Sequence, residues 1–547
     1  MGTKAASATN LDDLRKAALS LLEQGCTTEA FEYLLSALAS LLSSKRELEL
    51  LVAKLKREQV GRSSERIDPD QLRLLFEELV RKSAEADATE PESPEGDKDK
   101  ALDEQIKAAR KDEELARAKT GKKGRRARKR SVQQVHHELS VPESERQCEG
   151  CGKTKRTIGE DLSTSLEYIP AQVIEHVYHK EKLACGTCKD GVTAAPAPTP
   201  ILPRSDAGAT FLAHLIVSKH ADHLPLHRQS RILRRQGLVM AVSTMSDLLM
   251  GSAELLKPIV DQLIERKARS HLIALDATGL RVLDPDASAN IVRGTIWCYV
   301  LDRLDVVFRY TKDGTGETGP WKFLAGFKGY IQADAANVFD RLFGTVADAV
   351  EVGCWSHGRR KFETMLERDP RAAYPLKLIG RLFRVERLAD LRRLDPDGRM
   401  KLRQQWSEPA LQSLYSWIVA TIANEPPSSE LARATKYLKN HWSALQRFLQ
   451  DGRLPIHNNQ VEQQLRDVAL GRKNFLFAGS HQAAERAAIL YSLLRTCAVR
   501  GVPPAKYLAD VLPRLADGWP ADRMDELTPD RWLALYGQDQ AELAVAE

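Results

Sequence analysis

The sequence predicts a multidomain protein of the α+β class, and three observations carry that prediction. Its 547 residues exceed the ~100–200 of an ordinary domain, so several units are expected. Short β-branched and aromatic runs concentrate between residues 271 and 334, with helical spacing before and after them. Four of the eight cysteines form two Cys-x-x-Cys pairs in a chain too poor in cysteine for a disulfide scaffold. A hydrophobic share of 43% beside 29% charged residues fits a folded chain and excludes disordered or collagen-like classes. No apolar run approaches the ~20 residues of a membrane span; the best, 211–217, is interrupted by His214. The opening MGTKAASATN lacks the apolar centre of a signal peptide, so a cytoplasmic location is expected.

Residues 1–84 read as a helical region. Leu34, Leu38, Leu41, Lys45, Leu48, Val52 and Leu55 keep the four-and-three spacing of a heptad seam with one polar interruption. A coiled coil is expected there, with a helical hairpin using 11–22 as the alternative. Asp68 and Pro69 suit the start of a further helix. Residues 85–131 read as a charged linker. Seven acids and one lysine fill 85–99, whereas nine basic residues and no acid fill 117–130. Clustered cations displace counterions from a phosphate backbone, so Arg125, Arg126, Arg128, Lys129 and Arg130 are candidate nucleic-acid contacts.

Residues 132–200 hold the cysteine pairs. Cys148 and Cys151 are separated from Cys185 and Cys188 by 33 residues, and Gly152 and Gly186 give each pair a flexible turn. Four thiolates around one tetrahedral ion select zinc over hard cations and leave no open position, so a structural zinc ribbon is expected. His176 and His179 read as ordinary strand or loop residues. Residues 201–268 read as helical. A helix over 222–236 stops at Gly237, and a short helix capped by Ser243 follows, a pattern compatible with a helix-turn-helix that sets its second helix in a DNA groove.

Residues 269–355 hold the strands HLIALD, GLRVLD, GTIWCYVL, DVVFRY and GYIQAD, with one short helix over 320–326 and an amphipathic helix over 336–350. Asp276 is expected to end HLIALD and Asp334 to end GYIQAD, which brings two carboxylates close although 58 residues separate them. Such a pair repels itself unless a divalent metal neutralises it. Residues 356–454 read as a helical insertion, 455–500 as the second part of the core with a glycine break at Gly471, and 501–547 as a helical tail. Glu462, in NNQVEQQLRDVALGRK behind Asn458 and Asn459 as caps, is the candidate third acid. Antiparallel strands, a helix, a strand and an acid-bearing helix, in that order, make a ribonuclease-H-like α/β core. Arg472 and Lys473 are candidate phosphate contacts one turn beyond, as are Arg359, Arg360 and Lys361, which follow His357 at the start of the insertion.

Several pieces then carry a resemblance: GRSSERIDPDQLRLLFEEL, the cysteine pairs, KHADHLPLHRQSRILRRQG, GYIQADAANVFD, VGCWSHGRRKF, NNQVEQQLRDVALGRKNFLFAGS and ERAAILYSLLRTCAVRGVPP. In this order the sequence resembles the large transposase of the IS-sixty-six group of bacterial insertion sequences. The resemblance implies a DDE triad of Asp276, Asp334 and Glu462, holding two magnesium (or manganese) ions. One ion would activate water or a DNA 3′-hydroxyl and the other would stabilise the leaving oxygen, in hydrolysis at element ends and strand transfer into target DNA. It also implies DNA terminal repeats and target DNA as partners, self-association as a dimer or higher in synapsis, nucleoid association, and small companion proteins of the same element. The family usually shows Asp-Glu-Thr where this chain has Asp276-Ala277-Thr278, Glu-Arg where it has Glu462-Gln463, and often Pro where it has Asp467. A retired transposase that binds DNA without cutting it, and a simple nuclease, are the rival expectations.

Overall fold

The computed structural model describes residues 94–119, 150, 153–154, 171–184, 192–196, 198–334, 343 and 349–537. The expected coiled coil, the basic segment and all four paired cysteines lie outside the described residues. The chain divides into two compact units, Met1–Ala101 with Leu366–Pro370, and Leu102–Met365 with Arg371–Glu547. Apart from residues 94–101 and 366–370, the described residues lie in the second unit.

Part of the expected linker is a helix, α1 (Pro94–Lys119). Leu102, Ile106 and Ala109 recur at helical spacing, and burying them outweighs the charge around them. A small antiparallel hairpin, β1 (Lys182–Ala184) and β2 (Val192–Ala194), brackets the second cysteine pair. Three helices follow: α2 (Ala209–His220), α3 (Leu226–Arg235) and α4 (Val242–Glu265). Glycine at φ +91° for Gly237 makes the turn expected after α3. Two expectations fail here. The chain from 222 to 225 is not helical, because Pro225 sets the start of α3. The helix after the turn is long, begins at Val242 behind Ala241, and has no side-chain cap from Ser243. Nine buried residues along α4, among them Met245, Leu248 and Leu256, give it the length of a core helix.

The central sheet has β3 (Leu272–Leu283), β4 (Ile291–Leu301), β5 (Asp305–Thr311), β6 (Gly329–Gln332) and β7 (Ala349–Val352), with α5 (Pro320–Leu324) before β6. Its order is β5-β4-β3-β6-β7; β3, β4 and β5 pair antiparallel, and β6 and β7 join parallel. HLIALD and GLRVLD are one strand of 12 residues, so Asp276 sits within β3 instead of ending it. Ala277-Thr278-Gly279 forms no turn because the pairing continues opposite Trp297, Ile296 and Thr295. The Arg293 side chain lies over Gly279, 2.6 Å from where a Cβ would stand. The end of the expected helix over 336–350 is instead β7, whose Val350 and Val352 pair with Tyr330 and Gln332.

Beyond β7 come α6 (Trp355–Glu363), α7 (Ala373–Leu391), α8 (Pro396–Asn424), α9 (Glu430–Asn440) and α10 (Trp442–Gln446). The chain then returns to the sheet as α11 (Asn459–Phe475) and α12 (His481–Arg500), and closes with α13 (Pro504–Ala516) and α14 (Pro529–Tyr536). Gly471 does not break α11. The helix runs four residues further and ends at Leu476, at φ +68°. A Cβ on Gly471 would meet the Tyr491 hydroxyl at 2.8 Å, so the glycine serves close helix approach.

Period-two alternation divides the sheet between two cores. Ile273, Leu275, Trp297, Tyr299 and Val307 face α4 and the C-terminal helices. Ala274, Ile296, Cys298, Val300 and Phe308 face Val461, Leu465 and Val468 of α11. The outer edge of β5 is not left open. Ser492 accepts from Phe308 N at 2.8 Å, and Thr496 accepts from Val306 N at 3.0 Å while donating to Val306 O.

Candidate active site

Alternation and register together assemble the site. Asp276 is an even-numbered residue of β3 and shares its face with Ala274 and with Cys298, its partner on β4. The parallel pairing of β3 and β6 ends at Ala274 and Gln332, and Asp276 and Asp334 each stand two residues beyond that last pair. Ile331 and Ala333 belong to the opposite core, so Asp334 takes the same face as Asp276. That face is covered by α11, whose first turn carries Glu462.

The return of the chain to α11 is fixed by buried polar groups. Arg403, fully buried on α8, donates to Glu386 at 2.6 and 2.7 Å, to Asp451 O at 3.0 Å and to Leu454 O at 2.9 Å. Gln332, also fully buried, donates to Pro455 O at 2.9 Å and Gly353 O at 3.3 Å. Trp355 N donates to Ile456 O at 2.9 Å. Asn458 then donates its side-chain amide to Leu275 O at 3.0 Å, and its backbone N–H meets Cys354 Sγ at 3.2 Å. The expected Asn458 cap is therefore replaced by a bond across to β3, the strand of Asp276.

Three carboxyl groups lie close enough here to act on one another. Burial, with Asp334 and Glu462 nearby, pushes the Asp276 carboxyl up to about 7 although Ala277 N donates to its Oδ1 at 2.7 Å. Asp334 Oδ1 and Glu462 Oε1 are buried and accept no hydrogen bond. His357 Nε2 of α6 stands 3.6 Å from Glu462 Oε1, and Arg360 Nη2 stands 4.0 Å from Oε2. Burial also raises the Cys354 thiol, so this cysteine is a neutral packing group. Hard, partner-less carboxylate oxygens fit a divalent cation of the magnesium type. Among the described residues, however, no three His, Cys, Asp or Glu side chains converge tightly enough to form a finished ligand set.

Comparison with known proteins agrees with the motifs. The model described as "Transposase IS66 family" matches residues 204–486, which includes all three carboxylates. A relative from Sinorhizobium fredii, the uncharacterized protein y4hP, is 32% identical over 515 residues, 89% of this chain and 88% of its own. The chain belongs to the IS66 transposase family. The "IS66 C-terminal element" matches 492–529, and the "zinc-finger binding domain of transposase IS66" matches 145–189, across all four paired cysteines. A second S. fredii relative, the uncharacterized protein y4qI, is 32% identical over 436 residues, covering 76% of this chain and 80% of that one. The IS66 C-terminal element is held to the sheet by charge: Asp305, 4% exposed, accepts from Arg266 at 2.9 Å and Arg500 at 2.7 Å, and Arg266 also binds Asp530 at 2.9 Å.

Within this IS66 frame the predicted contacts separate. Arg472 is committed to β3, donating to Thr278 Oγ1 at 2.8 Å and to Gly279 O, so it is a tether and not a free phosphate ligand. Lys473 is exposed. Arg359 pairs with Glu363 at 2.8 Å, Lys361 lies 4.3 Å above the Tyr437 ring, and Arg360 is 60% exposed beside Glu462. Asp467, where the family often has Pro, is bound by Arg495 and lies 4.0 Å from His223. Gln332, Arg403 and Asn458 were missed as site residues. The Asn458-Asn459 doublet was the one visible signal, since an Asn ahead of a helix also reads as a cap. His176 and His179 lie in extended chain, His176 stacked near Tyr178 with ring centroids 6.4 Å apart. Among the described residues no helix is long and apolar enough to cross a membrane.

Proposed function

We propose that this chain is a DDE transposase that cuts DNA at the ends of an insertion sequence and joins them to target DNA, on a ribonuclease-H-like core. One observation carries the reading: Asp276, Asp334 and Glu462 reach one face of the sheet from three separate elements, and two of their oxygens are buried without a partner. A side chain buried that way costs ~1–3 kcal/mol or more unless a ligand completes it. Asp276, Asp334 and Glu462 would hold magnesium or manganese, which when bound lowers the pKa of attacking water and stabilises charge on the leaving oxygen. The chain's own work is positional. Gln332 holds the returning segment at Pro455 against β6 and Asn458 holds it against β3, so that the third carboxylate is presented to the first two. His357 and Arg360 stand beside Glu462, at 3.6 and 4.0 Å, and Arg360 is open to a DNA backbone there. Cys148, Cys151, Cys185 and Cys188 would hold a structural zinc, supported by the matched zinc-finger segment and by the β1–β2 hairpin at its edge.

A second reading, a retired DNA-binding relative, is favoured by Ala277 and Gln463, which stand beside two of the carboxylates where the family usually has Glu and Arg. Magnesium-dependent nicking of DNA carrying the flanking element ends separates the two. The transposase reading expects nicking by wild type and none by Asp334→Asn with DNA binding retained; binding without nicking in both supports the retired reading.

A further inference from the structure

Resting on the proposed function, we propose that the arginine face of α3 is a docking track for the backbone of duplex DNA, beside the catalytic helix. Arg228, Arg231, Arg234 and Arg235 occupy four of the ten positions of α3, and all four are exposed. Leu226, Gln229, Ser230 and Leu233 are the buried side, which fixes the arginines outward. None of the four has an ion-pair partner among the described residues. Like charges at helical spacing repel by ~0.2–0.5 kcal/mol per pair, so an unpaired cluster of this kind costs the helix stability unless an anion answers it. Between residues 207 and 246 the only acid is Asp222, against five Lys and Arg. Arg228, Arg231 and Arg235 form one stripe about 10 Å long, which spans roughly three steps of one DNA strand.

The position of the stripe ties it to the chemistry. The turn between α2 and α3 meets the catalytic helix, with His223 Nε2 4.0 Å from Asp467 Oδ1 and Lys219 Nζ 5.7 Å from the Phe475 ring centroid. α11 itself carries exposed Arg466 and Lys473. The helix expected to read DNA, α4, is mostly core, and its exposed first turn (Val242, Ser243, Thr244) holds no cation. The phosphate contacts therefore belong to α3.

The test is fluorescence anisotropy of the full-length protein on a 30-base-pair duplex, titrated from 50 to 300 mM salt. Arg228→Ala/Arg231→Ala/Arg235→Ala should bind about tenfold more weakly or worse, with its log–log salt slope reduced by about 3. Replacing the same three residues by Lys should restore the slope, and Lys506→Ala on α13 should leave it unchanged. A wild-type slope in the alanine variant, with an unchanged melting temperature, overturns the proposal. The catalytic reading stands apart from this result. Slope loss in a protein that never nicks DNA removes the catalytic reading and supports the α3 track; Glu462-dependent nicking with wild-type binding by the alanine variant does the reverse.

Discussion

Asn458 donates its side-chain amide to the carbonyl oxygen of Leu275 at 3.0 Å, one residue before Asp276 on β3 and four before Glu462 on α11. This hydrogen bond ties together the two segments that carry the first and third carboxylates, and it is buried, with Asn458 1% exposed. It lets a helix that returns after a long insertion land in register with a strand far behind it in sequence.

Asn458→Leu should therefore affect stability and chemistry together. The Leu275 carbonyl loses its partner in a buried setting, a cost of ~1–3 kcal/mol. Denaturant unfolding should show that loss, and magnesium should protect the variant less than wild type. Unchanged stability with unchanged magnesium protection would mean that the bond does not position Glu462.

The Asp276 carboxyl predicts a pH effect of definite sign. Burial and its two acidic neighbours raise it to about 7 from an ordinary value near 3.8. A folded-state value above the unfolded one contributes stability that is full below pH ~3.8 and lost as pH rises through ~7. Magnesium-free wild type should thus melt lower at pH 8 than at pH 6 by more than Asp276→Asn does. At pH 8 the variant should be the more stable, on the order of 2 kcal/mol. Equal melting temperatures at pH 8 would contradict the crowding of the three acids.

Arg403 is a test of the insertion's role. Arg403→Met takes one of two arginines from Glu386, which keeps Arg399 at 2.7 Å, and strips the Asp451 and Leu454 carbonyls of their buried donor, at a cost of ~1–3 kcal/mol. Arg403→Lys should keep the charge beside Glu386 but not all of these bonds, so nicking should stay impaired while most of the stability is kept. Full recovery of nicking would show that Arg403 acts through charge balance alone.

Zinc should be present at one ion per chain in protein purified without chelator. Cys185→Ser should lower that content and expose residues 145–189 to protease. Full zinc content in this variant would exclude the four-cysteine site.

These expectations show what the sequence made legible. The alternating runs around Asp276 and Asp334, and the acid four residues behind an Asn doublet, exposed the carboxylates because period and residue type are local signals. The readings that failed concern residues whose role is set by distant partners. Asp276 looks like a strand end until β4 is seen to pair on past it, and Gly471 looks like a helix break until Tyr491 approaches it. AVEV of β7 is too short to declare itself beside a helical pattern, and the exposed-looking Arg472 turns back onto β3. Three buried apolar residues hidden in a charged stretch made a helix of what read as linker.

The central claim is most directly tested by strand transfer. A DNA fragment carrying the element ends would be incubated with magnesium or manganese and a second DNA, with wild type or Glu462→Gln. Wild type should join the 3′-hydroxyl ends to the second DNA, while Glu462→Gln binds the fragment equally well and joins none. Joining that persists in Glu462→Gln would contradict the three-carboxylate site.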